Sequence, residues 1–201
     1  MPFTALKKVP YRVRLQICQY LNYYSILRLS QVCKAARAMT QEQDLDYIML
    51  RNTPKTEFAE HAIDIQTLKV HDLLQRIMFE GGSETEIQEL MVILMDTEDD
   101  KAVKLLDCGA LNDMAVWPPV PSLRVDMGPG MYLGILALAS TMKMVRRRTG
   151  VRVKDVVKLM VKMENGLVRR HGFESYRVAF TGFSPRIGED GGLVLVAGWN
   201  S

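Results

Sequence analysis

Three histidines, His61, His71 and His171, are the side chains best suited to moving a proton near neutral pH. They stand apart from one another, and none lies in an H-E-x-x-H, G-x-S-x-G or phosphate-loop spacing that would bring a nucleophile, a metal or a phosphate to it. Asp96, Glu98, Asp99 and Asp100 could gather around a divalent cation. No glycine occupies the place where an EF-hand loop turns, however, so the cluster reads as a solvated helix end. Cys18, Cys33 and Cys108 are odd in number and form no C-x-x-C pair, which argues against a zinc or dithiol site. The residue types therefore nominate no catalytic residue, no metal ligand and no cofactor, and the chain reads as a non-enzyme.

The strongest remaining chemical signal is positive charge. Lys143, Arg146, Arg147, Arg148 and Arg152 are followed by a row of Lys154, Lys158 and Lys162, so that ten bases stand against two acids from Lys143 to Arg170. From Glu80 to Asp107 the balance reverses, with nine acids against two lysines, and the net charge of +3 hides both. On a helix-turn-helix edge the basic set would contact phosphates of nucleic acid, an acidic membrane surface or an acidic partner. No aromatic residues are interleaved for base stacking, and a solvated face that balances the acidic segment is the competing reading. Arg146 to Arg148 also form a short cluster of the kind read by nuclear import.

The elements that must carry these residues follow from periodicity. Val153, Val156, Val157, Met160, Met163 and Leu167 share one face of a helix over about 153–168, which sets the lysine row on the other. The run Met131 to Met142 is shorter than the ~20 residues a bilayer requires and reads as a buried helix, so no transmembrane segment is expected. Ile63 to Phe79 reads as a helix ended by Gly81-Gly82. Ser83 and Glu86 then form a capping box before Ile87, Leu90, Met91 and Leu94, the clearest helix signal in the chain. Ala102 to Asp107 and Leu111 to Trp117 read as short helices, and the prolines from Pro118 to Pro129 as a long irregular loop. After Gly172 the period changes to two: Tyr176, Val178 and Phe180 alternate, and Leu193 to Ala197 follow the turn signal Asp190-Gly191-Gly192, giving a small terminal hairpin.

Three helices open the chain. Pro10 suits a first helical position, with Val13, Ile17 and Leu21 four residues apart beside Cys18 and Tyr20. Asn22-Tyr23-Tyr24 interrupts the pattern. Ser25 is a candidate cap for a second helix bearing Ile26, Leu29, Val32, Cys33 and Ala36. Thr40 with Gln43 is a candidate capping box for a third, bearing Leu45, Ile48 and Met49. About 40 residues enclose little core, so these apolar faces call for a cover.

Val9-Pro10, the stripe Val13, Ile17 and Leu21, the string Ser25-Ile26-Leu27-Arg28-Leu29-Ser30-Gln31-Val32-Cys33-Lys34, and Asp44-Leu45 with Ile48 together resemble the F-box motif. Members of that family bind a Skp-type adaptor and through it a cullin ubiquitin ligase, leaving the rest of the chain to hold a target protein. The resemblance nominates Pro10, Ile17, Leu21, Leu29, Val32 and Cys33 as the adaptor interface or its support. Val9 stands where the family has Leu, Ser25-Ile26 where Asp-Leu is common, and Ala36 where Trp is frequent, an exchange that removes on the order of 150–250 Å² of aromatic surface.

The whole reads as a mainly α protein: an F-box-like module at 1–50, a connector at 51–62, and a helical target-binding domain at 63–201 ending in a hairpin. Its expected function is that of a substrate receptor for a Skp-cullin ligase, in the manner of pathogen factors that redirect a host ligase. Free cysteines and an opening without a signal peptide imply the cytoplasm or nucleus. The alternative is a basic helical structural protein, akin to a viral matrix or nucleocapsid component, that binds nucleic acid or membrane.

Overall fold

The structure is a computed structural model that describes residues 9–51, 64–81, 84–94, 101–128, 142–171 and 178–200. The chain divides into two compact units, Met1–Pro54 and Lys55–Ser201.

The first unit is helical. It comprises α1 (Tyr11–Gln19), α2 (Tyr23–Val32), α3 (Lys34–Thr40), a 3-10 turn (Gln43–Leu45) and the short α4 (Asp46–Met49). Caps explain where each begins. Pro10 stands just ahead of α1, one place before the expected first turn. Asn22, not Ser25, caps α2: its Oδ1 accepts the Ser25 N–H at 2.9 Å. Tyr23 and Tyr24, which looked like an interruption, are therefore helical and buried, with rings edge to face at 5.3 Å. Cys33 caps α3 through Sγ, which accepts from the Ala36 N–H at 3.4 Å. Thr40 closes that helix instead of opening another, donating its hydroxyl to the Arg37 carbonyl at 2.9 Å. Cys18, Ile26, Met39, Leu45, Met49 and Leu50 are buried with the two tyrosines.

The second unit overturns the mainly α expectation, being mixed α/β. Its strands are β1 (Lys69–Val70), β2 (Ile77–Met78), β3 (Glu80–Gly81), β4 (Met91–Leu94), β5 (Lys101–Lys104), β6 (Val116–Trp117), β7 (Ser122–Asp126), β8 (Met142–Arg146), β9 (Val178–Ile187) and β10 (Leu193–Asn200), with one long helix, α5 (Val153–His171). The main sheet runs β3-β9-β10-β7-β8, a second runs β2-β4-β5, and β1 pairs with β6. In the main sheet β10 lies parallel to β7 and antiparallel to β9, while β8 is antiparallel to β7 and outermost.

The helix expected over Ile63 to Phe79 is instead β1, a 3-10 turn at Asp72–Gln75, and β2. The helix expected after Ser83 is a single 3-10 turn, Ile87–Glu89, followed by β4. Its cap lies one turn later than expected, where the Glu86 N–H donates to Glu89 Oε2 at 3.1 Å. Ala102 to Asp107 splits between β5 and a 3-10 turn, Leu105–Cys108, that stops at Gly109 with φ 71°. Leu111 to Trp117 splits between a second such turn, Ala110–Asn112, and β6. Within Pro118 to Pro129, read as loop, lies β7. The physical cause is shared: short apolar runs such as Met91-Val92-Ile93-Leu94 satisfy helical spacing and a buried strand equally, and only pairing with a distant strand decides. The apolar run from Met131 falls outside the described residues, save that Met142 opens β8.

Two expectations hold. α5 buries Val153, Val156, Val157, Met160, Met163 and Leu167 and exposes Lys158 and Lys162. The terminal hairpin is β9–β10, turning through Gly188 to Gly192 as the centre of the main sheet.

Candidate functional site

α1 places its apolar stripe in solvent. Val13, Ile17 and Tyr20, spaced by four and three, lie on one side of the helix with Pro10 at its start. All four are exposed: Ile17 by 49% and Tyr20, at the C-terminal cap, by 91%. The side turned inward carries Cys18, whose thiol pKa is raised by burial. At the near end Tyr11 donates its hydroxyl to Glu42 Oε1, a bond that also raises the phenol pKa, and Arg14 lies 5.6 Å over the Tyr11 ring. From α2 come Leu29, half-buried, and Val32, 47% exposed. α1 and α2 thus present large apolar side chains to solvent at helical spacing.

A family model described as F-box-like matches residues 6–46. The chain carries an F-box-like domain. No curated protein and no solved structure matches it.

Of the residues nominated for this F-box-like domain, Pro10, Ile17, Val32 and Cys33 are exposed, and Leu21 and Leu29 are half-buried. Val13 and Tyr20 were not nominated, although the same spacing that picks out Ile17 reaches both. Ala36 is buried in the unit's own core. An aromatic there would compete for interior space and would not widen an outer contact.

The basic residues are dispersed. The expected helix-turn-helix edge is a strand, a turn and a helix: β8 carries Lys143 and Arg146, the turn Arg147 and Arg148, and α5 the lysine row. Lys143 and Arg146 point to opposite faces of the sheet, being three residues apart on a strand. Arg147 is held by Asp155, a buried carboxylate 2.8 Å away that also accepts the Arg152 N–H at 3.1 Å and so caps α5. Arg152 donates to the Asn112 carbonyl, and Lys154 Nζ to Asn112 Oδ1 at 2.8 Å. Lys143, Arg146, Arg148, Lys158 and Lys162 form no ion pair among the described residues.

His71 is fully buried beside Asp113, with Nε2 3.6 Å from a carboxylate oxygen. This pair lacks the opening that a general base requires. Nδ1 accepts the Leu73 N–H at 3.1 Å, so Nε2 carries the proton and faces Asp113, and no ring lone pair is left for a substrate. His61 and the acidic group Asp96 to Asp100 lie outside the described residues, and His171 ends α5. Among the described residues no group of three metal-ligating side chains converges, and no helix is long and apolar enough to cross a membrane.

Proposed function

We propose that this chain is a recruitment subunit. The F-box-like domain docks on a Skp-type adaptor of a cullin ubiquitin ligase, in the cytoplasm or nucleus, and the mixed α/β unit holds a target protein for ubiquitin transfer. The observation that carries the reading is the solvent-facing stripe Pro10, Val13, Ile17 and Tyr20 within the segment that matches the F-box-like model. Burial of such side chains stabilises a complex by about 25 cal/mol per Å² of apolar area removed from water. The ligase partner supplies the covalent chemistry, so the chain itself needs no nucleophile. Recruitment of a host ligase by a pathogen factor is one setting for such a subunit.

A pull-down of purified Skp-type adaptor at about 150 mM salt tests the reading, because that ionic strength screens surface charge and leaves apolar contact intact. Wild-type chain should retain the adaptor. A Val13→Asp, Ile17→Asp double variant should lose it with an unchanged helical circular dichroism signal, since both side chains are exposed. Failure of the wild type to bind would sink the proposal.

A further inference from the structure

We infer that the outer edge of β8 receives an acidic, extended peptide segment as an added strand. Among the described residues β8 ends the main sheet, and its register fixes which backbone groups face outward. The Arg147 N–H bonds to the Pro121 carbonyl, so the residues pairing through hydrogen bonds with β7 alternate from there to Val145 and Lys143. The N–H and C=O groups of Met144 and Arg146 therefore point away from β7; the Arg146 carbonyl accepts from Arg147 Nη1 at 3.4 Å, and the other three meet no partner among the described residues. The strand has no proline and no register shift, two of the features that blunt such an edge, and its charges, Lys143 and Arg146, are of one sign.

Charge selects the occupant. Lys143, Arg146 and, in the turn beyond, Arg148 are exposed and outside any ion pair among the described residues, while Asp155 is engaged by Arg147 and Arg152, and Asp126, opposite Met142 in β7, by Arg186. A second copy of the same edge would set cations against cations, which disfavours self-pairing. An incoming strand with carboxylates three residues apart would place one opposite Lys143 on one sheet face and one opposite Arg146 on the other. Main-chain hydrogen bonds then supply affinity and the two carboxylates supply selection. In the proposed recruitment function this segment belongs to the target, a point that rests on that reading. The peptide binding does not, because it requires no adaptor.

The probe is a blocked, fluorescently labelled peptide of sequence Thr-Glu-Val-Thr-Glu-Val-Thr, titrated into the full chain by anisotropy. We expect saturable binding that weakens about tenfold or more for a Lys143→Glu, Arg146→Glu variant, since each pair changes from attraction to repulsion. Met144→Pro removes one outward N–H while leaving the β7 ladder in place, because proline is tolerated where the N–H faces solvent. It should weaken binding by a similar factor. Should that variant misfold, the same peptide N-methylated on alternate residues gives the same discrimination with the wild-type chain. No binding by the wild type, binding equal for the N-methylated peptide, or tighter binding of a single-stranded oligonucleotide of equal charge would each overturn the inference. Failure of adaptor binding in the separate pull-down would leave it standing.

Discussion

Two side-chain amides in the mixed α/β unit do the work of missing strands. Gln75 donates from Nε2 to the Phe183 carbonyl at 2.6 Å and accepts the Phe183 N–H at Oε1 at 3.0 Å. Asn165 repeats the arrangement on Thr85, accepting its N–H at 3.0 Å and donating to its carbonyl at 2.9 Å. Each pair satisfies a donor and an acceptor that a neighbouring strand would otherwise serve. Gly182 makes the first pair sterically feasible. Its φ is 115°, and a Cβ there would meet the Gln75 amide and backbone. Gly182→Ala should therefore destabilise the chain by about 1–3 kcal/mol through a backbone conformation alien to alanine and the displaced amide. Gln75→Leu should cost a similar ~1–3 kcal/mol by leaving Phe183 without partners. Urea unfolding followed by tryptophan emission measures both, because Trp117 and Trp199 lie in this unit. In the other unit Ala36→Trp should cost about 1–3 kcal/mol by overpacking. A stabilised Ala36→Trp chain would show that the position can open outward as a contact.

At the level of elements, legibility in the sequence tracked how locally each one is determined. α5 was readable because its apolar residues hold the helical period over many turns, and the β9–β10 hairpin because Asp190-Gly191-Gly192 announces a turn between apolar segments. Asp190 accepts the Gly192 N–H at 3.1 Å and pairs with Arg124 of β7, so the turn is tied to the strand beside it. β1 to β6 were unreadable because each is two to four residues long and gains its definition from a partner elsewhere in the chain. The candidate site was legible in part. The helices came from spacing and the exposed residues Pro10, Ile17 and Val32 from the resemblance to the F-box motif, whereas β8 as an edge strand was hidden by the expectation of a helix running up to it. The division of α5 into faces yields a direct check. Met160→Ala should cost about 2–5 kcal/mol and lower the melting temperature, while Lys158→Ala should stay within about 0.5 kcal/mol.

Across the whole molecule, acid acts in opposite directions on carboxylates of the two units. In the helical unit Asp46 is buried, and desolvation raises its pKa even though Arg51 Nε stands 3.0 Å away and pulls it down. A carboxylate whose folded pKa is raised binds its proton in the native state first, so the burial penalty, complete at neutral pH, is relieved as pH falls toward the ordinary aspartate value of 3.8. In the mixed unit Asp190 is shifted downward by the Gly192 N–H and then by Arg124, and Glu84 by its bond to Arg169. Their stabilisation is fully present above the ordinary aspartate and glutamate values of 3.8 and 4.5 and is lost as pH falls below them. Backbone hydrogen exchange corrected for intrinsic rates, read peptide by peptide from neutral pH down to about 2, separates these contributions, since opening free energies are resolved locally. Asp46→Asn should remove an acid-induced gain in protection within residues 11–49. Asp190→Asn should remove an acid-induced loss around the β9–β10 turn. Equal pH profiles for the Asp46→Asn and wild-type helical units would mean that Arg51 fully offsets burial and that Asp46 is charged at no cost to the unit.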